Sequence, residues 1–250
     1  MEQKIIRFNV VDSTNTYIKN LPSSERVDGL TVVADKQTNG RGRLGRSFTS
    51  DGKGIYMSYV IKPDCTPQES LIITSSVAVA VARAIEKTCN VSVGIKWVND
   101  IVYGGQKLAG ILTEAVNVSG DKAECYVIGI GINVNEAEDD FGAELKDKAI
   151  SLKTILNRDF DKEELLSALI EELDYMKTSF LSERDEYYDE YVKHSVMLDK
   201  NVVLIGEENT SAKVIGIDEN YALKVELTGG EITKVISGDI SVDGIYGIVL

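Results

Sequence analysis

Apolar positions along the chain fall into two regimes. Up to about residue 194, short apolar runs alternate with longer stretches of helical spacing. In the first regime, residues 3–11, 30–34 and 54–61 read as strands. Asp12-Ser13-Thr14-Asn15 places capping side chains before Tyr17, Ile18 and Leu21, which predicts a short helix. Thr66-Pro67-Gln68-Glu69 has the form of a capping box with proline at the first helical position, and opens an apolar helix to Lys87. Its Ala78, Ala80, Ala82 and Ala84 predict close packing on a sheet. Residues 91–97 and 107–115 read as strands around a turn at Gly104-Gly105, and 125–133 as a very apolar strand. Asp161 caps a helix to Phe180, and Ser182 is expected to cap the next, to His194.

After His194 the runs become short and evenly spaced, at 201–205, 211–217, 221–226 and 231–235, with turn residues between them. That texture predicts a small all-β barrel of about five strands. The boundary falls near residues 195–199. A unit of about 50 residues is marginal alone, so the barrel is expected to pack on the larger domain.

Composition narrows the class. The 250 residues are 43% hydrophobic and 27% charged, ordinary globular usage, with no repeat or low-complexity tract. No apolar run reaches membrane-spanning length and no leader-like core follows Met1, so no membrane partner is expected. Cys65, Cys89 and Cys125 are odd in number and unrelated in spacing, which fits packing roles in a reducing cytoplasm. A net charge of −13 repels nucleic acid. Residues 161–190 are dense in acids, the composition of a solvated helix face.

Against that background the segment Gln37-Thr-Asn-Gly40-Arg41-Gly42-Arg43-Leu-Gly-Arg46-Ser-Phe48 stands apart. Its glycines let backbone approach a ligand, and its arginines offer planar forks for phosphate or carboxylate. An ordinary basic loop is the competing reading, but no acid separates these arginines in so acidic a chain. The loop is neither a Walker A motif nor a dinucleotide fingerprint. A second segment, Lys96-Trp97-Val98-Asn99-Asp100 through Lys107 to Ala115, sets polar groups into apolar strands. Any one of them is expected to face solvent on alternate strand positions; four together beside the only tryptophan argue for a site. Ile128-Gly129-Ile130-Gly131-Ile132-Asn133 fits either close ligand approach or plain packing. His194 stands in no cluster and reads as structural or exposed.

Ser13-Thr14-Asn15, the Gln37–Arg46 loop, Lys96-Trp-Val-Asn-Asp100, Lys107-Leu-Ala-Gly-Ile-Leu112 and Gly131-Ile-Asn133 fall in the order seen in biotin protein ligases, which the whole chain resembles. The resemblance implies an α+β fold. A mixed sheet with helices, like class II aminoacyl-tRNA synthetases, spans residues 1–197, and an SH3-like β-barrel spans 198–250. It implies that biotin and MgATP give biotinyl-adenylate and pyrophosphate, and that biotin then passes to one lysine of a biotin carboxyl carrier domain of acetyl-CoA carboxylase or a related enzyme. It assigns biotin contacts to Ser13, Thr14, Asn15, Gln37, Arg41, Gly42, Arg43 and Lys107. It assigns ATP or adenylate contacts to Gly40, Arg41, Arg43, Arg46, Phe48, Lys96, Asn99 and Asn133. Catalytic roles fall to Arg43, Lys107 and Asp100, the last as an orienting group or proton acceptor in transfer. No residue is assigned to the metal.

The sequence departs from the family where Val98 replaces proline and Phe48 replaces tryptophan; Phe can still stack, with less area and no N–H. The Asp-Ser-Thr-Asn segment begins at residue 12, so the expectation is a monofunctional ligase rather than a repressor, acting as a monomer or homodimer. A lipoate or octanoate ligase and a non-catalytic biotin sensor are the rivals.

Overall fold

A mixed sheet organises the larger part of the computed structural model, which describes residues 4–66, 70–206, 208–246 and 248. Its strands are β1 (Ile5–Val11), β2 (Thr31–Gln37), β3 (Ile55–Ile61), β4 (Gly94–Lys96), β5 (Asp100–Tyr103), β6 (Gln106–Val116) and β7 (Cys125–Ile132). Their order is β1-β2-β3-β7-β6-β5-β4, with β1 and β2 parallel and the other neighbours antiparallel. Helices α1 (Thr14–Asn20), α2 (Ser70–Cys89), α3 (Gly142–Leu145), α4 (Leu152–Leu156), α5 (Lys162–Ser179) and α6 (Arg184–His194) complete this part. None of the described helices is long and apolar enough to cross a membrane.

Alternation along β7 shows how the sheet is used. Tyr126, Ile128, Ile130 and Ile132 enter the main core with buried residues of α2 and α5. Cys125 and Val127 join a smaller core under α1 with Ile18, Val32 and Val60. Gly129 and Gly131 continue that second face without side chains of their own, under Asn15 at the start of α1 and under Phe48.

The remaining strands are β8 (Asn201–Ile205), β9 (Thr210–Ile217), β10 (Leu223–Leu227), β11 (Ile232–Val235) and β12 (Asp239–Val242). They form an antiparallel sheet ordered β11-β10-β9-β8-β12. Its buried Val202, Val214, Tyr221 and Ile240 belong to the same core as the first sheet. Trp97 Nε1 donates to the Tyr221 carbonyl at 2.7 Å, and the Tyr191 ring meets Tyr221 edge-on at 5.2 Å. The second sheet therefore packs on the larger part, as its small size requires.

Two local expectations are corrected. Residues 91–97 and 107–115 are not hairpin partners: β5 intervenes, pairing Lys96 with Asp100 on one side and Asp100 with Gly110 on the other. The turn at Gly104-Gly105 joins β5 to β6. Ser182 does not cap α6; its hydroxyl donates to the Ser179 carbonyl, and Glu183 precedes the helix without a side-chain cap. The capping box before α2 involves Pro67, Gln68 and Glu69, which lie outside the described residues. His194 is structural: Nδ1 lies 2.8 Å from the Val93 carbonyl.

Arg26 and Glu124 brace the α1 side of the sheet. The guanidinium reaches both carboxylate oxygens, at 3.1 and 2.7 Å, and with Ser23 and Asn117 holds the Glu124 carboxyl down at about 2. Because this folded value lies below the ordinary one, the stabilisation is complete above pH of about 4.5 and fades as the pH falls through about 2. Glu124→Gln should lower the melting temperature at pH 7, by a free energy on the order of 2–3 kcal/mol. The gap to the parent should narrow steadily in acid; a gap of equal size at pH 7 and in strong acid contradicts this account.

Candidate active site

The glycine-bearing face of β7 opens into a cavity of about 360 Å³, within the range of small-ligand sites. Met57, Trp97, Ile111, Leu112 and Ile130 supply its apolar lining. Arg41, Arg43, Arg46, Lys96, Lys107 and Lys148 face Asp100 and Asp239 on its polar side. This is a concentration of positive charge in a chain of net charge −13.

One end is built by the start of α1. Ser13 caps that helix, accepting from the Thr16 N–H. The Thr14 N–H and hydroxyl both donate to Gln37 Oε1, at 2.9 and 3.2 Å, and Gln37 Nε2 donates to Ser50 Oγ at 3.0 Å. Ser58, from the buried β3, donates to Asn15 Oδ1, while Asn15 Nδ2 donates to Glu114 at 2.9 Å. The β7 glycines have a specific purpose. A Cβ on Gly129 would lie 2.4 Å from Asn15 Oδ1, and one on Gly131 would lie 2.5 Å from the Phe48 ring. Both admit protein side chains that themselves line the cavity, so packing and ligand approach are one feature here.

The arginine loop is folded on itself. The Gly42 N–H donates to the Arg46 carbonyl at 2.7 Å, and the Phe48 N–H to the Gly40 carbonyl at 2.9 Å. Arg43 donates to Asn99 Oδ1 at 2.8 Å and to the Gly238 carbonyl at 3.3 Å, and Arg46 pairs with Asp239. Thus the loop bridges the first sheet and the second.

Opposite the loop, Lys107 Nζ donates to Asp100 Oδ1 at 2.6 Å, and the Tyr246 hydroxyl donates to Asp100 Oδ2 at 2.6 Å. Burial opposes ionisation of Asp100, but Lys107, Lys96 and these hydrogen bonds outweigh it and hold the carboxyl below its ordinary value. Asp100 is therefore a carboxylate at neutral pH, suited to orienting a cation and poorly suited to accepting a proton. Burial lowers the Lys96 ammonium against the pull of Asp100. Lys96 and Asn99, only 8% and 9% exposed, are inward rather than surface-facing.

Of the residues assigned to biotin, nucleotide or catalysis from the sequence, all but two line this cavity. Gly40 closes the base of the arginine loop, where a Cβ would lie 2.3 Å from the Phe48 carbonyl. Asn133 sits behind the wall, donating to the carbonyls of Lys107 and Ile150 at 3.2 and 3.1 Å. Sequence reasoning missed Lys148, Asp239 and Tyr246. Each is an isolated polar or aromatic residue in a loop, at a strand start or on the tail, with no spacing to mark it.

The sequence model of the biotin/lipoate A/B protein ligase family matches residues 7–133. The bifunctional ligase/repressor BirA of Bacillus spizizenii is 35% identical over 96% of this chain and 74% of its own length. The chain belongs to the biotin/lipoate A/B protein ligase family. It is a ligase. Among others of the family, a biotin–[acetyl-CoA-carboxylase] ligase of Mycobacterium tuberculosis is 27% identical over 91% of this chain and 85% of its own. A biotin protein ligase from Aquifex aeolicus, solved in complex with biotin and ATP, superposes with a TM-score of 0.83 at 28% identity, covering 96% of this chain and 99% of that one. This ligase therefore shares with it both the mixed sheet with helices and the second antiparallel sheet.

Proposed function

We propose that this ligase joins biotin to a carrier protein in two steps, through biotinyl-adenylate. The observation that carries the reading is the ring of Arg41, Arg43, Arg46, Lys96, Lys107 and Lys148 around an apolar-walled cavity. The first step brings a carboxylate to the α-phosphate of ATP. At about 4 Å and an effective dielectric of about 20, two unit charges repel by about 4 kcal/mol. Fixed cations offset that repulsion most where charge builds up in the transition state.

The polar end suits the ureido ring. Ser13 has a hydroxyl proton to give, and Gln37, Thr14 and Asn15 offer both donors and acceptors. The apolar wall suits the thiophane and the valeryl chain, whose length directs the carboxylate toward Lys107. Arg43 and Arg41 reach the same region from the loop, Phe48 stacks on the adenine side, and Lys96, Asn99 and Arg46 serve the nucleotide. Magnesium enters with the nucleotide substrate: the carboxylates on the wall, Asp100 and Asp239, are each engaged by a cation, which suits an ion carried by phosphates. Pyrophosphate leaves, and the closed loop keeps water from the mixed anhydride.

In the second step a neutral lysine amine of the carrier attacks the activated carbonyl, AMP departs, and the proton shed by the amine passes to solvent. Asp100 orients Lys107 for both steps. The carrier is the biotin carboxyl carrier domain of acetyl-CoA carboxylase or a related enzyme, as the name of the mycobacterial relative indicates for that protein. We assign residues 1–197 to a class II synthetase-like catalytic domain and 198–250 to an SH3-like barrel. The scattered cysteines fit a cytoplasmic setting.

The test is pyrophosphate release. With MgATP, biotin should drive it and neither lipoate nor octanoate should. Release driven better by either acid moves the chain to the lipoate branch, and tight biotin binding without release makes it a sensor.

A further inference from the structure

We infer that Tyr246, on the tail that follows the barrel, is a positioning residue for adenylate formation, fixing the Asp100 carboxylate so that Lys107 faces the substrate carboxyl. The inference rests on the biotin ligase reading above.

The two oxygens of Asp100 have different partners. Oδ1 accepts from Lys107 Nζ at 2.6 Å and from Asn99 Nδ2 at 3.3 Å, whereas Oδ2 accepts from the Tyr246 hydroxyl at 2.6 Å. That division fixes the rotation of the carboxylate. Lys107 is then held by one oxygen, at one angle, with donor hydrogens left to point into the cavity. Without the hydroxyl, Oδ2 would be a buried charge-bearing oxygen lacking its donor. Turning both oxygens onto Lys107 would satisfy it and draw the ammonium away from substrate. The Tyr246 ring also lies 5.2 Å from Lys96 Nζ, in cation–π range.

The backbone is arranged to deliver this side chain. Tyr246 has φ +59, a left-handed conformation that is uncommon for a bulky residue and is sustained only where surroundings dictate it. Its N–H donates to the Gly105 carbonyl at 2.8 Å. Gly105, in the β5–β6 turn, has φ +81, and a Cβ there would lie 2.6 Å from the Gly244 carbonyl. The turn and the tail thus interlock through two glycines, and the product of the interlock is one phenol on one carboxylate. A tyrosine suits the task chemically: it donates without adding charge, and burial with the nearby Asp100 pushes its own ionisation upward, so it stays a donor.

The experiment compares the parent with Tyr246→Phe, Asp100→Asn and the double variant. Single-turnover pyrophosphate release and biotin Kd by titration are the readouts. Tyr246→Phe keeps the ring over Lys96 and removes only the hydroxyl. Release should slow by about tenfold or more, as for loss of a hydrogen bond to a charged group. Biotin Kd should stay within about twofold, since the effect is on the reacting geometry. On the Asp100→Asn background the same change should have no further effect, because the group it acts through is gone. Parental rate in Tyr246→Phe overturns the inference, as does an undiminished loss on the Asp100→Asn background. A parallel fall of rate, biotin affinity and melting temperature also overturns it, by making the role structural. A parent that releases no pyrophosphate with biotin removes the underlying reading and the inference with it.

Discussion

Lys107→Met should abolish most adenylate formation, with the rate of biotin-dependent pyrophosphate release falling by about 10²–10³. The magnitude follows from geometry. Lys107 lines the cavity at the end of the apolar wall and is held at 2.6 Å by Asp100. Methionine preserves length and apolar volume, so the variant isolates the charge. It also strands the Asp100 carboxylate, which keeps Tyr246 and Lys96 but loses its closest cation. A buried charge without its partner is destabilising, so the melting temperature should fall as well. The rate loss must exceed anything explained by unfolding. It is therefore measured below the variant's own transition, with saturating biotin and MgATP. A rate within a few-fold of the parent means the carboxylate is activated by the arginine loop alone.

The second large effect is on binding. Gly129→Ala should weaken biotin binding by about 10- to 100-fold, an overpacking cost of about 1–3 kcal/mol expressed as affinity. The new methyl would sit 2.4 Å from Asn15 Oδ1 and 3.0 Å from its Cγ. Neither side can give way cheaply. Gly129 is paired with Ser58 on β3 and Leu112 on β6, in the middle of the sheet. Asn15 is held by Ser58 on one atom and Glu114 on the other. Displacing Asn15 disturbs Ser58, whose hydroxyl oxygen also lies 2.6 Å from Thr14 Oγ1, so the whole polar end moves. Gly216→Ala in β9 is the control: there a Cβ meets only Lys224 Cδ at 3.8 Å, and binding should not change. Titration of biotin into both variants decides the matter. Parental affinity in Gly129→Ala would show that Asn15 does not shape the biotin site.

The sequence marked the site where polarity clashed with its surroundings. Arg41, Arg43 and Arg46 were visible because nothing acidic balances them locally. Lys96, Asn99, Asp100 and Lys107 were visible because their neighbours are Ile, Val, Leu and Trp. The meaning of Gly129 and Gly131 was half legible. A close approach was expected, but that it would be by Asn15 and Phe48 depends on how α1 and the arginine loop cross β7. Strand β5 was missed because it spans only Asp100–Tyr103, and the residues before it hold too short a turn to interrupt the apolar pattern. Asp239 and Tyr246 were illegible for a different reason. Each is an ordinary residue in or after the second sheet until tertiary packing brings that part of the chain to the cavity. The second sheet's contribution to the site is thus a tertiary fact, invisible to local patterns.

If this cavity activates biotin and delivers it to protein, a carrier must gain mass in its presence. The most direct measurement is the intact mass of a biotin carboxyl carrier domain after incubation with the ligase, biotin, ATP and magnesium. The carrier should gain a single biotinyl group, confined to one lysine and absent when ATP is withheld. An unchanged carrier mass, while the same protein sample binds biotin tightly, would contradict it.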